Sequence, residues 1–406
     1  MKIAKLILID PVDNKNKFYN FSKIDSNNFE AHYGRVGAKG VIVKYPLSDW
    51  DSVYREKRRK GYNDITSDYE VKKVASGSND MSNIKPSVKK QLELLHKYAK
   101  AIFDSNYNVE ITDITQGLVD KAQTLIDEIN GLLKINADLP TINMKLIRLF
   151  NVIPRKMSKV KEGLMPNGIS NQQELDICRA RMEQEQDLLD TIKGQLNAPQ
   201  NTQPTQSKVI TYLDKLGLDF DEVSSSEEAM LKKMMTDSSN KYMSAYKVTN
   251  FKTQKNFDNE VAKSSNKKTM LLFHGSKSGN WLNILKTGLV LHPNASTTGA
   301  LFDQGIYFAD IADKSLGYIS GGRWNNSGSD NDNWLAVYEV HVGNQADYNT
   351  LKTTRNTGTD LAKWIPSNGY DSYYANRNIE QRYNLRRDEF IIYNEKKCTI
   401  KYLIHL

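Results

Sequence analysis

The sequence predicts a multidomain α+β protein: a small β-rich module, an all-α helical bundle and a domain built on antiparallel β-sheet. Three observations predict it. The chain has 406 residues, more than the ~100 to 200 of one ordinary domain. Its apolar periodicity is two near both ends and helical in the middle. Polar stretches, SGSNDMSN (76–83) and NAPQNTQPTQS (197–207), fall where the period changes.

In the first module, KIAKLILI, NKFYNF, NFEAHYGRVG and GVIVKY read as short strands, with Gly34, Gly37 and Gly40 marking tight turns. Ser48 with Asp51 three residues on is a capping signal for a helix. That helix turns Trp50, Val53 and Tyr54 inward and REKRRK (55–60) outward as a basic ridge. Pro86 opens the bundle at a first-turn position, followed by Val88, Leu92, Leu95, Ala99 and Ile102 at helical spacing. The spacing returns in Leu118, Leu125, Ile129 and Leu132, in Ile142, Leu146 and Leu149, and in Leu175, Cys178, Met182, Leu189 and Ile192. Beyond 207, YKVTNFKT, TMLLFHG, GIYFAD, WLAVYEVHV, DSYY, DEFIIYN and CTIKYLI read as strands with few helices among them. The stretch 343–387 reads as a long functional or mobile loop.

Composition narrows the function. With 39% hydrophobic and 26% charged residues, and only short apolar runs such as LILI (6–9), no stretch approaches the ~20 residues of a membrane span. MKIAKLILID lacks a small-residue cleavage site, so an intracellular protein is expected. Two cysteines without a CxxC pairing and six scattered histidines predict no zinc site and no metal chemistry. The formal net charge is +8, and residues 1–75 hold fifteen Lys and Arg against ten Asp and Glu, which favours an anionic partner for the first module.

The chemistry concentrates after residue 270. LLFHGSKSGNWLNILKTGL (271–289) places His274 and Ser276 on a strand-to-helix turn, with Gly275 leaving backbone groups open to a ligand. TTGALFDQGIYFAD (297–310), KSLGY (314–318) and RDEFIIY (387–393) follow. Together and in this order they resemble the catalytic domain of the poly(ADP-ribose) polymerase family. Upstream, FNVIPR (150–155) resembles the signature of that family's helical regulatory domain. AHYGRVGAKG (31–40) is similar to its Trp-Gly-Arg (WGR) module, with Tyr33 where the family has tryptophan. GRVGAKG does not fit G-x-G-x-x-G and opens no helix, which disfavours a Rossmann dehydrogenase.

The resemblance implies three domains: a WGR-like DNA-binding domain at 1–75, a helical autoinhibitory domain at 84–197 and an ADP-ribosyltransferase catalytic domain at 208–406. It implies NAD as substrate. Expelling nicotinamide leaves a ribose with oxocarbenium character, which a nearby carboxylate stabilises. By resemblance Glu389 is that carboxylate. It would also hold the ribose 2′-hydroxyl and activate the acceptor hydroxyl. His274 would donate to a ribose hydroxyl, and Gly275 would pair its N–H and C=O with the nicotinamide carboxamide. Tyr307 and Tyr318 would stack on the nicotinamide and Ser315 would bond its carboxamide. Ser276 and Asn280 would lie along adenosine, and Lys314 would meet pyrophosphate. Val290 and Gln304 stand where many relatives carry arginine and lysine.

For the first module the family's function implies contact with DNA ends or nicks through Tyr33, Arg35, Lys39, Arg55, Arg58 and Arg59. Phosphate contacts of this kind weaken steeply with salt and depend little on sequence. The expected protein is therefore an intracellular, DNA-associated enzyme, monomeric in isolation and without a membrane anchor. It is activated by DNA breaks, modifies proteins including itself, and extends polymer. A mono-ADP-ribosyltransferase or NAD glycohydrolase, and a catalytically silent DNA-end scaffold, remain as alternatives.

Overall fold

Strand alternation near the N-terminus produces a hairpin whose register runs from Ile3↔Ser22 to Asp10↔Lys15, between β1 (Ile3–Asp10) and β2 (Lys15–Lys23). β3 (Asn28–Arg35), β4 (Val41–Pro46) and the short β5 (Asn63–Asp64) complete a sheet of order β4-β3-β2-β1-β5. The computed structural model describes residues 3–69, 81, 83–166, 172–196, 211–292, 300–321, 331–353 and 360–406. These divide into two units. One comprises the described parts of 1–76 and 101–196, the other those of 77–100, 197–293 and 299–406. The polar stretch 76–83 lies mostly, and the linker 197–207 wholly, outside the described residues.

In the first unit, one face of the sheet buries Ala4, Leu6, Tyr19, Phe21, Phe29 and Ala31 against Trp50. Trp50 opens α1 (Trp50–Arg59), its ring 5.2 Å from Phe21 and 5.0 Å from Phe29. The opposite face buries Ile7 and Phe18 with Val36 and Ile65, the last just before α2 (Thr66–Tyr69). Each buried Val, Leu, Ile or Phe among them contributes roughly 1.5–3 kcal/mol.

Two local expectations fail. The residue flanking α1 is Asp49, with helical backbone angles and no side-chain cap, because a 3-10 turn over Leu47–Asp49 already leads the chain in; Ser48 bonds Asp49 instead. Gly34 lies within β3 rather than at a turn. A Cβ there would sit 2.8 Å from Gly40 Cα, so glycine serves close approach, and the turn itself uses Gly37 (φ 94°) and Gly40 (φ 71°).

The helices are α3 (Pro86–Asn106), α4 (Gln116–Lys134), α5 (Leu139–Val152) and α6 (Gln172–Gln195). Thr115 caps α4 and Asp138 caps α5, each accepting a backbone N–H of the first turn. The α4 stripe sits one position off its expected line. Val119, Ala122, Ile126 and Leu133 are buried with Leu118 and Ile129, while Leu125 and Leu132 are half-buried at its shoulder. α3 divides between the units: Val88, Leu92 and Leu95 pack in the core of the second, Phe103 in that of the first.

The second unit contains α7 (Tyr212–Leu216), β6 (Leu218–Glu222), α8 (Ser225–Met235), β7 (Ser244–Asn250), α9 (Phe251–Lys263), β8 (Thr269–Gly275), α10 (Trp281–Thr287), β9 (Ile306–Phe308) and α11 (Ala312–Leu316). It continues through β10 (Trp334–His341), β11 (Gln345–Ala346), α12 (Tyr348–Thr353), α13 (Leu361–Ser367), β12 (Ser372–Ala375), β13 (Glu389–Ile392) and β14 (Cys398–His405). Two sheets result, β6-β7-β14-β10-β8 and β11-β12-β13-β9, antiparallel except for the β11–β12 pair. A bridge between Phe273 and Ala309 links β8 to the chain leaving β9.

The expectation of few helices is overturned, because the sheets need covering layers. YKVTNFKT ends as a strand at Asn250, whose side chain accepts Thr253 N–H at 3.0 Å and so starts α9. The stretch 343–387 holds α12, α13, β11 and β12 rather than one long loop. Among the described residues no helix is long and apolar enough to cross a membrane.

Candidate active site

Glu389 opens β13, a strand buried on both faces, and is itself only 3% exposed. β13 pairs with β9 through Ile391↔Tyr307, and residues two apart share a face, so Glu389 and Tyr307 stand on the same side of this sheet. His274 comes from the other sheet. Its Nδ1 lies 3.0 Å from the Tyr307 carbonyl, while Phe273 N–H donates to Ala309 O at 2.7 Å beside it. β9 therefore gathers the three: Tyr307 and Glu389 share a face, and His274 bonds the Tyr307 backbone with its ring 5.7 Å from that of Phe308.

The hydrogen-bond partners define what each group can do. A carbonyl accepts only, so the proton of His274 sits on Nδ1. Burial lowers the pKa of the ring, which keeps it neutral and leaves Nε2 a lone pair. Nε2 of His274 is thus an acceptor. The Tyr307 hydroxyl donates to Asp303 O at 2.8 Å and accepts Phe302 N–H at 2.9 Å, and burial pushes the phenol well above its usual pKa. Ser315, buried, donates its hydroxyl to Phe273 O at 3.1 Å, which leaves Oγ an acceptor for an amide N–H.

Gly275 has a packing reason. A Cβ would lie 2.0 Å from the Ser315 carbonyl oxygen, so β8 and α11 approach this closely only with glycine. The ammonium of Lys314 lies 2.5 Å from Glu389 Oε1 and 5.9 Å from the centre of the Tyr318 ring. Tyr318 is 43% exposed. Ser276 and Asn280 bond one another, Nδ2 to Oγ, at 3.2 Å.

Several supporting groups escaped the sequence reading. Asp303 holds a left-handed φ of 61°, and its carboxylate accepts Leu361 N–H at the start of α13. Tyr393 donates to Phe302 O at 2.7 Å. Together they hold the segment that receives the Tyr307 hydroxyl. The one available signal was the FDQG turn, since aspartate is among the few residues that tolerate a positive φ.

The predicted DNA contacts lie in the first unit and divide into two kinds. Arg35 is turned into its own unit, donating to Asn14 O at 2.8 Å, Met157 O at 3.0 Å and Ser158 O at 2.6 Å. Tyr33 stacks on Tyr19 at 4.7 Å and 6°. Lys39, Arg55, Arg58 and Arg59 are exposed. Arg155, of the FNVIPR stretch, is buried and paired with Glu185 at 2.7 Å. Among the described residues no group of three or more His, Cys, Asp or Glu could hold a metal ion.

A split antiparallel sheet with a buried glutamate beside a histidine and a tyrosine suits transfer of a ribosyl group from NAD. Comparison with known proteins agrees. Residues 219–406 match the poly(ADP-ribose) polymerase catalytic domain. The poly [ADP-ribose] polymerase-like protein 100L of Invertebrate iridescent virus 6 is 35% identical over 173 residues, covering 41% of this chain and 87% of that protein. Poly [ADP-ribose] polymerase 2 of Homo sapiens is 28% identical over 38% of this chain and 29% of its own length. Poly [ADP-ribose] polymerase 2-A of Oryza sativa subsp. japonica is 24% identical over 97% of this chain and 68% of its own length. The chain belongs to the poly(ADP-ribose) polymerase family and is an NAD+ ADP-ribosyltransferase.

Proposed function

We propose that the protein is a DNA-break-activated poly(ADP-ribose) polymerase that modifies proteins, itself included, and extends the chain. The observation that carries the reading is the convergence of His274, Tyr307 and Glu389 around β9. NAD would lie with its nicotinamide between Tyr307 and Tyr318. The Gly275 backbone and the Ser315 hydroxyl would face the carboxamide, and His274 Nε2 would accept from a ribose hydroxyl. As the glycosidic bond lengthens, positive charge grows on the ribose beside the Glu389 carboxylate, in a site where burial strengthens the attraction. Lys314 fixes the orientation of that carboxylate before substrate arrives. With an acceptor hydroxyl in place, Glu389 would take its proton as the new glycosidic bond forms.

DNA contact is assigned to Lys39, Arg55, Arg58 and Arg59, and Arg35 becomes an internal tie. Three domains, at 1–75, 84–197 and 208–406, belong to this reading, with α3 shared between the last two. The test is incubation of the full chain with labelled NAD, with and without nicked DNA. A DNA-dependent smear of self-modified protein is expected, and Glu389→Gln should lower turnover ~10²–10³-fold. A single discrete shift would refute chain extension, and equal activity without DNA would refute activation.

A further inference from the structure

The N-terminal half of α3 belongs to the same unit as the turn that follows β8, and polar groups join the two. Gln91, 3% exposed, accepts Trp334 Nε1–H at 3.1 Å, and its amide nitrogen lies 3.0 Å from His405 Nδ1. His405 Nε2 lies 2.9 Å from Asp332 Oδ1. One tautomer serves both contacts: Nδ1 accepts from Gln91, and Nε2 donates to Asp332. Tyr98 donates its hydroxyl to Asp332 Oδ2 at 2.9 Å and accepts Asp332 N–H at 3.1 Å. The Asp332 carbonyl then accepts the hydroxyl of Ser278 at 3.0 Å.

Ser278 is fully buried, and its N–H donates to Ser320 Oγ at 3.1 Å. It sits midway between Ser276 and Asn280. Donors and acceptors alternate without conflict from Trp334 to Ser278, and a buried network satisfied in this way is stiff, because loss of any member strands its neighbours. Apolar contacts of Val88, Leu92 and Leu95 alone would resist separation but would not fix register.

We propose that Gln91 and Tyr98 are positioning residues for NAD. On this account residues 86–100 of α3 form a fixed strut that holds Asp332, and through it the 276–280 turn, in the NAD-binding geometry. They are not part of a releasable helical gate, and any release of the helical region begins after Lys100. The proposal rests on the assignment of Ser276 and Asn280 to the adenosine side.

The test uses the full chain carrying Tyr98→Phe, Ser278→Ala, or both, with kcat and KM for NAD measured with and without nicked DNA, and ADP-ribose as a competitive inhibitor. Each single change should raise KM and the ADP-ribose inhibition constant about five- to tenfold through the buried hydrogen bonds it removes. kcat should stay within about twofold, since the reacting atoms are untouched. The double variant should be no worse than the worse single one, because both cut the same chain. Unchanged KM in both variants, additive effects, or a rise in DNA-independent activity would each overturn the strut. Should Tyr98→Phe fail to fold, Ser278→Ala alone decides. Ser276→Ala separates the two levels. If it leaves ADP-ribose affinity intact, the adenosine assignment fails and the strut with it; if it weakens affinity while Tyr98→Phe does not, only the strut fails.

Discussion

Replacing Gly275 with alanine tests the closest approach in the catalytic unit. The added Cβ would stand 2.0 Å from the Ser315 carbonyl oxygen, so that oxygen must retreat by about 1 Å to reach even the 3.0 Å that real Cβ atoms respect. The same carbonyl accepts Tyr318 N–H at 3.1 Å, and the Ser315 hydroxyl donates to Phe273 O at 3.1 Å. Overpacking costs about 1–3 kcal/mol and each weakened hydrogen bond about 1 kcal/mol. A total near 3 kcal/mol should lower Tm by on the order of 10 °C in a domain of this size. Because Ser315 and Tyr318 move with the carbonyl, kcat/KM for NAD should fall about 100-fold, the usual consequence of a misplacement near 1 Å. Differential scanning calorimetry and steady-state NAD turnover measure the two effects. Gly131→Ala is the control. Its Cβ meets nothing within 4 Å inside α4, so it should stabilise by about 0.5–1 kcal/mol and leave turnover alone. A Gly275→Ala protein with unchanged Tm and unchanged kcat/KM would refute the packing of β8 against α11.

Three other outcomes are expected. Because burial depresses the pKa of His274, the unfolded chain takes up its proton first as pH falls below about 6.5, so this contribution to stability is complete above that value and lost as pH drops through the folded pKa. Turnover should accordingly be flat from pH 8 to 6.5 and decline only below; an inflection above 6.5 assigned to His274 would contradict a neutral buried ring. Arg155→Met should cost about 3–5 kcal/mol by stranding the buried Glu185, whereas Arg155→Met with Glu185→Leu should recover most of the loss in urea midpoints; additive losses would count against the pair. Arg35→Ala should lower stability by about 2 kcal/mol through its lost carbonyl contacts, while Arg59→Ala should leave Tm unchanged and reduce the salt slope of DNA binding by about 1. Exchange of those two phenotypes would reverse the roles given to the two arginines.

Period-two alternation in KIAKLILI, TMLLFHG and WLAVYEVHV, and the ordered blocks around His274, Tyr307 and Glu389, were legible because local spacing and residue type alone define a strand face or a motif. So was the helical middle of the chain. Partners distant in sequence could not be read in this way. Lys314 is 75 residues from Glu389, Arg35 is more than 120 from the Met157 and Ser158 carbonyls it binds, and Gln91 is 314 from His405. Whether a lysine faces a carboxylate or solvent, and which half of α3 packs against which core, depends on contacts that exist only after the chain has folded back on itself. Residue type and order thus determined the reaction class. Burial and hydrogen-bond direction, which are properties of the packed state, decided the tautomer of His274, the partner of Lys314 and the inward turn of Arg35.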